Sequence, residues 1–147
     1  SDDISVVKPH EGRIWVYPSF PFIKLWKDVM EYVEFSAEAG TKLRDPLEKY
    51  GYRMEEAFHT GPVSLEKIFV LHVHNKEEYK TEQLKGTEKF NALKNQTYRF
   101  QFVTDRNRPV HFTELNKMAQ AVPVYRVTRP QAPMEMERLV EVIGRLL

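Results

Sequence analysis

The chain has no cysteine, only six glycines in 147 residues, and no apolar run near the roughly 20 residues that a membrane-spanning helix needs. Without cysteine there is no disulfide framework and no thiolate metal site, which fits a reducing compartment; a cytoplasmic location is the expectation. Surplus charge is missing too. The 22 Lys and Arg residues face 21 Asp and Glu residues, for a net charge of +1. Such a balance gives no concentrated basic face for nucleic acid, so neither nucleic acid nor a membrane is expected as a partner. No signal peptide is visible, and there is no internal repeat, low-complexity tract or linker. The phosphate-cradling pattern Gly-x-x-x-x-Gly-Lys-[Ser/Thr] is absent; "AGTKL" and "LKGTEK" lack its spacing. The first residue is Ser1 rather than methionine, and the expectation is that the chain begins inside a longer protein.

What is present is enough for a core: 41% of residues are apolar and 12% aromatic. One domain, or one piece of a domain, over 1–147 is expected. Residues 4–7 and 13–17 read as strands of a hairpin around a turn at 8–12, followed by a proline–aromatic loop over 17–22. Within 23–40, Leu25, Val29, Tyr32 and Val33 recur at helical spacing, with Gly40 as a stop. Residues 42–52 are polar and irregular. The run "LEKIFVLHV" over 65–73 is the most strand-like in the chain and is expected to be central and buried. A solvated loop over 75–83 precedes a helix capped by Thr87 and running over 88–103, with Phe90, Leu93, Tyr98 and Phe102 as its apolar positions. Residues 104–109 break it. A helix over 112–121, a strand over 122–130 and an amphipathic helix over 134–147 complete an α/β or α+β pattern.

The residues most suggestive of chemistry are the adjacent carboxylates Asp2 and Asp3, directly ahead of a β-branched run. Two neighbouring carboxylates repel, so a fold that holds both in one cleft needs a cation there. The plain alternative is an exposed polar terminus. His72 and His74, two apart on a strand, share a face, and with a third ligand such as His59, His111 or a Glu they form a candidate zinc or iron site; partly exposed strand-end histidines are the alternative. Lys24 beside Trp26 and Lys27, and the arginines Arg99, Arg106, Arg108, Arg126 and Arg129, are candidates for binding an anion, against the reading of ordinary surface charge. The aromatics Phe20, Phe22, Trp26, Tyr32 and Phe35 read as packing rather than a base-stacking platform.

The segment "SDDISVV…GRIWVYPSFPFIKLWKD", followed in order by "PVSLEKIFVL", "LKGTEKFNALKNQTYR" and "VPVYRVTRP", resembles the HPr serine kinase/phosphorylase family, whose nucleotide-binding core is shared with the phosphoenolpyruvate carboxykinases. The resemblance covers nearly the whole chain. It implies the C-terminal half of a P-loop, HPr kinase/phosphoenolpyruvate carboxykinase-like domain, with a mixed sheet flanked by helices. It also implies an ATP-dependent kinase activity toward a hydroxyl, on a protein or a small molecule. Asp2 is then the magnesium carboxylate and Asp3 the proton acceptor, with the order of the two roles open; Lys24 and Arg99 are substrate-binding candidates. Mg2+ and ATP are the implied cofactors, both requiring an upstream segment that carries the phosphate loop, without which the chain is expected to be inactive. The family's kinase assembles as a hexamer, so a homo-oligomer is an expectation. The competing reading is a non-catalytic interaction module that keeps the fold.

Overall fold

Side chains three residues apart on a strand fall on opposite faces of a sheet. Val124 and Val127 are such a pair, both fully buried, and the larger part of the fold is organised around them. The computed structural model describes residues 2–33, 35–36, 40–131 and 135–147. Among these residues it contains three three-stranded sheets and four helices, a mixed α/β fold. No helix of the described residues is long and apolar enough to cross a membrane. The chain groups into two compact units, one of Ser1–Val7 with Val16–Val63 and one of Lys8–Trp15 with Ser64–Leu147.

In the second unit, β7 (Ile68–His74) runs parallel to β9 (Val124–Pro130), and β8 (Lys80–Gln83) lies antiparallel on the other side of β9. On one face Val124 packs with Val70, Leu84, Leu93 and Leu115, which brings α2 (Gly86–Asn95) and α3 (Arg108–Ala121) onto the sheet. On the other face Val127 meets Leu139 and Val142 of α4 (Met136–Gly144). The long apolar run that promised a central strand is therefore an edge. An outer position goes to β7, where Leu71 and Val73 stay 51% and 50% exposed, while β9, of equal length, takes the centre because both its faces are covered by helices.

In the first unit, β3 (Phe22–Trp26), β5 (Leu47–Arg53) and β4 (Thr41–Arg44) form an antiparallel sheet in the order β3-β5-β4. Helix α1 (Lys27–Tyr32) follows β3, with Met30 buried. Tyr52 is buried against the edge of Phe35, and its hydroxyl donates to the Ser36 carbonyl at 2.9 Å. Gly51 sits mid-strand in β5 because Phe22 lies across it; a methyl group there would run into the Phe22 ring and reach 2.9 Å from Leu43. A third sheet has the order β1-β2-β6, formed by β1 (Val6–His10), β2 (Arg13–Tyr17) and β6 (Val63–Ser64).

Several boundaries differ from the sequence reading, each for a local reason. The turn expected over 8–12 shrinks to Glu11 and Gly12, both at positive φ (50° and 77°), the signature of a two-residue type I′ hairpin, so β1 extends to His10. The helix expected from Leu25 is a strand up to Trp26, because "FIKLW" also satisfies a period of two and pairs residue for residue with β5. The helical stop at Gly40 follows residues 37–39, which lie outside the described residues. The polar stretch over 42–52 is a hairpin whose charges pair across it, Lys42 with Asp45 at 2.8 Å and Glu48 at 2.9 Å. The loop over 75–83 hides β8, whose four side chains are all exposed. Thr87 does not cap the second helix: it lies inside it, because the helix begins at Gly86 with Lys85 at the N-cap and no side-chain capping bond, and it stops at Asn95; Arg99 takes a left-handed backbone (φ 49°) and Phe100–Phe102 form one 3-10 turn instead of continuing it. Helix α3 starts at Arg108 rather than 112, because Pro109 lies in the first turn, where no N–H partner is needed. Met134 lies outside the described residues, and the last helix begins at Met136.

Leu115→Ala leaves a hole under Val124 and is expected to destabilise the fold by about 2–4 kcal/mol in urea unfolding followed by circular dichroism. Gly51→Ala is expected to lower the melting temperature as well, with the loss reduced when Phe22→Leu is combined with it; independent, additive effects of the two changes would contradict the close approach.

Candidate functional site

An edge strand presents N–H groups that no neighbouring strand satisfies. β3 is such an edge, and the outward N–H of Lys24 is taken by the Asp2 carboxylate at 3.0 Å. The Lys24 ammonium pairs with Asp3 and lies 3.8 Å from Asp2. Three of the four candidate residues, Asp2, Asp3 and Lys24, thus come together, and the acidic doublet is latched to a strand. Asp2 and Lys24 side chains are largely covered, and that of Asp3 is half exposed. The fourth candidate, Arg99, belongs to the second unit, exposed, with its guanidinium 5.0 Å from the Tyr98 ring and 5.9 Å from the Phe102 ring.

The local sequence explains the latch. Phe22, Lys24 and Trp26 alternate onto one face of β3. The residue directly opposite Lys24 is Gly51, with no side chain. The residue opposite Trp26 is Lys49, whose ammonium lies 5.1 Å over the Trp26 ring. Trp26, expected to pack away, is 46% exposed and serves as this cation's platform. The bonded Lys24 ammonium is the main cause holding the Asp3 carboxyl below its ordinary value of 3.8; partial burial opposes this, and the charges of Lys24 and Lys49 add to it. Lys49 is a member of the site that sequence reasoning missed. Nothing in the sequence pairs residue 49 with residue 26; only the strand register does.

Magnesium takes hard oxygen ligands and is commonly held by one or two carboxylates together with substrate phosphates and water. Asp2 and Asp3 fit that donor set in kind. Their oxygens now serve Lys24, so a divalent ion there competes with an ammonium. Among the described residues no group of three or more His, Asp or Glu side chains could hold a metal. His74 bonds through Nε2 to the Glu78 carbonyl oxygen at 2.7 Å. His72 lines a hollow of about 390 Å³ beside Asn91 and Asn95. Arg126 is engaged structurally, at 3.1 Å to Glu82 and 2.7 Å to Glu88, and Arg108 pairs with Asp105 at 2.9 Å. No protein-family model, curated protein or solved structure matches the chain.

Because the Asp3 carboxyl is depressed when folded, its share of stability is present above about pH 4 and is lost as the pH falls through the folded value. Lys24→Met is expected to move the Asp3 titration up toward the ordinary value, read from its side-chain carbonyl carbon by NMR. An unchanged titration in the variant would rule out Lys24 as the cause.

Proposed function

We propose that the chain is the C-terminal part of an ATP-dependent kinase-like protein resembling the HPr serine kinase/phosphorylase family, which transfers phosphate to a hydroxyl acceptor. The observation that carries this reading is the gathering of Asp2 and Asp3 at Lys24 on the edge of β3, which gives the doublet a defined place on the fold. Mg2+ bound with ATP would supply positive charge against that of the transferring group, and Asp2 would hold it. Asp3 accepts the proton of the acceptor hydroxyl as its oxygen bonds to the γ-phosphorus, the bond from that phosphorus to the β-phosphate oxygen breaks, and ADP leaves. Lys24 must release Asp3 for this, since a carboxylate that bonds an ammonium is a weaker base. Lys24 is the group proposed to meet the anionic substrate. The Gly-x-x-x-x-Gly-Lys-[Ser/Thr] loop must come from residues ahead of Ser1.

The same ion cluster favours a second reading. Lys24 satisfies both carboxylates without a metal, as suits an interaction module that has kept the fold and lost the chemistry.

The deciding experiment uses the protein translated from the reading frame extended by about one further domain upstream of Ser1. In the kinase reading it turns over Mg-ATP. Asp3→Asn then lowers turnover by about 10²- to 10⁴-fold with ATP binding retained. The chain alone binds Mg-ATP more weakly than about 1 mM and turns over none. Turnover that survives Asp3→Asn, or tight Mg-ATP binding by the chain alone, defeats the kinase reading. An extended protein without ATP turnover supports the module.

A further inference from the structure

The second unit carries a surface that the kinase reading does not use. Between the end of α2 and the start of α3 the chain places Tyr98, Phe100, Phe102, Val110 and Phe112 at the surface; Phe102 is 65% and Val110 64% exposed. Two of these side chains, Phe100 and Phe112, pack against neighbouring rings. Phe100 meets the His111 ring edge-on with centroids 5.7 Å apart, and His111 bonds Thr97 at 3.2 Å. Phe112 packs on Phe90 at 5.2 Å. The left-handed backbone at Arg99, which side-chain-bearing residues avoid, sets its guanidinium against Tyr98 and Phe102.

The charge here is one-sided. Residues 94–112 contain Lys94, Arg99, Arg106 and Arg108 against a single acid, Asp105, and that acid is paired with Arg108. Among the described residues no carboxylate pairs with Lys94, Arg99 or Arg106. Lys94 instead lies 5.2 Å from the Phe100 ring. A guanidinium lying over rings keeps its in-plane N–H fork turned outward, the geometry that grips a carboxylate. Aromatic and arginine side chains presented together are the composition of interface hot spots.

We propose that this surface docks an acidic, apolar segment of a partner protein, with carboxylates on Arg99 and Lys94 and apolar side chains against Tyr98, Phe100 and Phe102, the rings those cations touch. Charge complementarity selects this occupant. A nucleic acid is disfavoured because Arg99 already covers one face of both Tyr98 and Phe102, the rings a base would stack on, and because the chain as a whole carries a charge of only +1.

The test is an NMR titration of the 15N-labelled chain with a peptide of roughly twelve residues alternating Glu with Phe and Leu. A peptide with Lys in place of Glu and an oligouridine of similar length serve as competitors. The expected result is amide shifts confined to 94–112, weakened as salt rises from about 50 to about 500 mM. Phe102→Ala and Arg99→Gly are each expected to weaken binding about tenfold or more. Arg99→Gly suits the left-handed backbone, so a loss of binding with an unchanged melting temperature separates recognition from folding. The proposal is overturned by any of four results: no shifts at millimolar peptide, equal binding of the lysine peptide, tighter binding of oligouridine, or shifts at these residues that depend on protein concentration alone, which would make the occupant a second copy.

Discussion

Two carboxylates adjacent in sequence repel by an amount that depends on their surroundings, on the order of 1 kcal/mol at 4 Å in water and several times that at a protein surface. The first unit meets this constraint with one residue used twice. The backbone N–H of Lys24 holds Asp2, and its ammonium holds Asp3 while standing close to Asp2. Everything that positions the doublet therefore depends on the register of β3 against β5. That register sets Lys24 opposite Gly51, and the Phe22 ring lies over the same glycine. A change at Gly51, a residue with no chemistry of its own, is transmitted to the acidic pair through the strand that carries Lys24.

The second unit solves a different problem. A parallel strand pair needs cover on both faces. Val124 and Val127 show how β9 obtains it, one facing α2 and α3 and the other α4. Arg126, between them, ties β9 to β8 and α2 through Glu82 and Glu88. This separates two arginines that look alike in sequence. Arg126 is committed to holding elements together, whereas Arg99 stands on aromatic rings with no carboxylate partner among the described residues. Charge count alone does not distinguish them; the distribution of nearby acids does.

Element type was legible where only one period fits. The strand read over 122–130 lies at Val124–Pro130, and the last helix at Met136–Gly144. It was illegible where a short segment satisfies two periods, as in "FIKLW", and where strands are polar, as in the β4–β5 hairpin and β8, because cross-strand ion pairs leave no hydrophobic alternation to read. The weight placed on "LEKIFVLHV" as a central strand illustrates a separate limit. Apolarity reports that a strand is coverable, but which strand becomes central depends on where the helices land, and that is a property of chain connectivity. Of the site, the acidic doublet and Lys24 were visible as residue types, but their convergence was not, since residues 2 and 24 meet only once β3 is known to be an edge. Lys49 gave no signal for the same reason.

In the proposed kinase, Lys24 is the group with which a magnesium ion would compete for the two carboxylates. Two bare carboxylates this close would repel each other. An ammonium that reaches both holds them in place, and it carries half the charge of a divalent ion. A divalent ion held there would bring more charge to the same oxygens and would release Lys24 to offset the charge of the phosphates. The exchange needs no rearrangement of β3, because the Asp2 bond to the Lys24 backbone N–H does not involve the ammonium. Lys24 would then be a counter-ion without the nucleotide and a phosphate ligand with it.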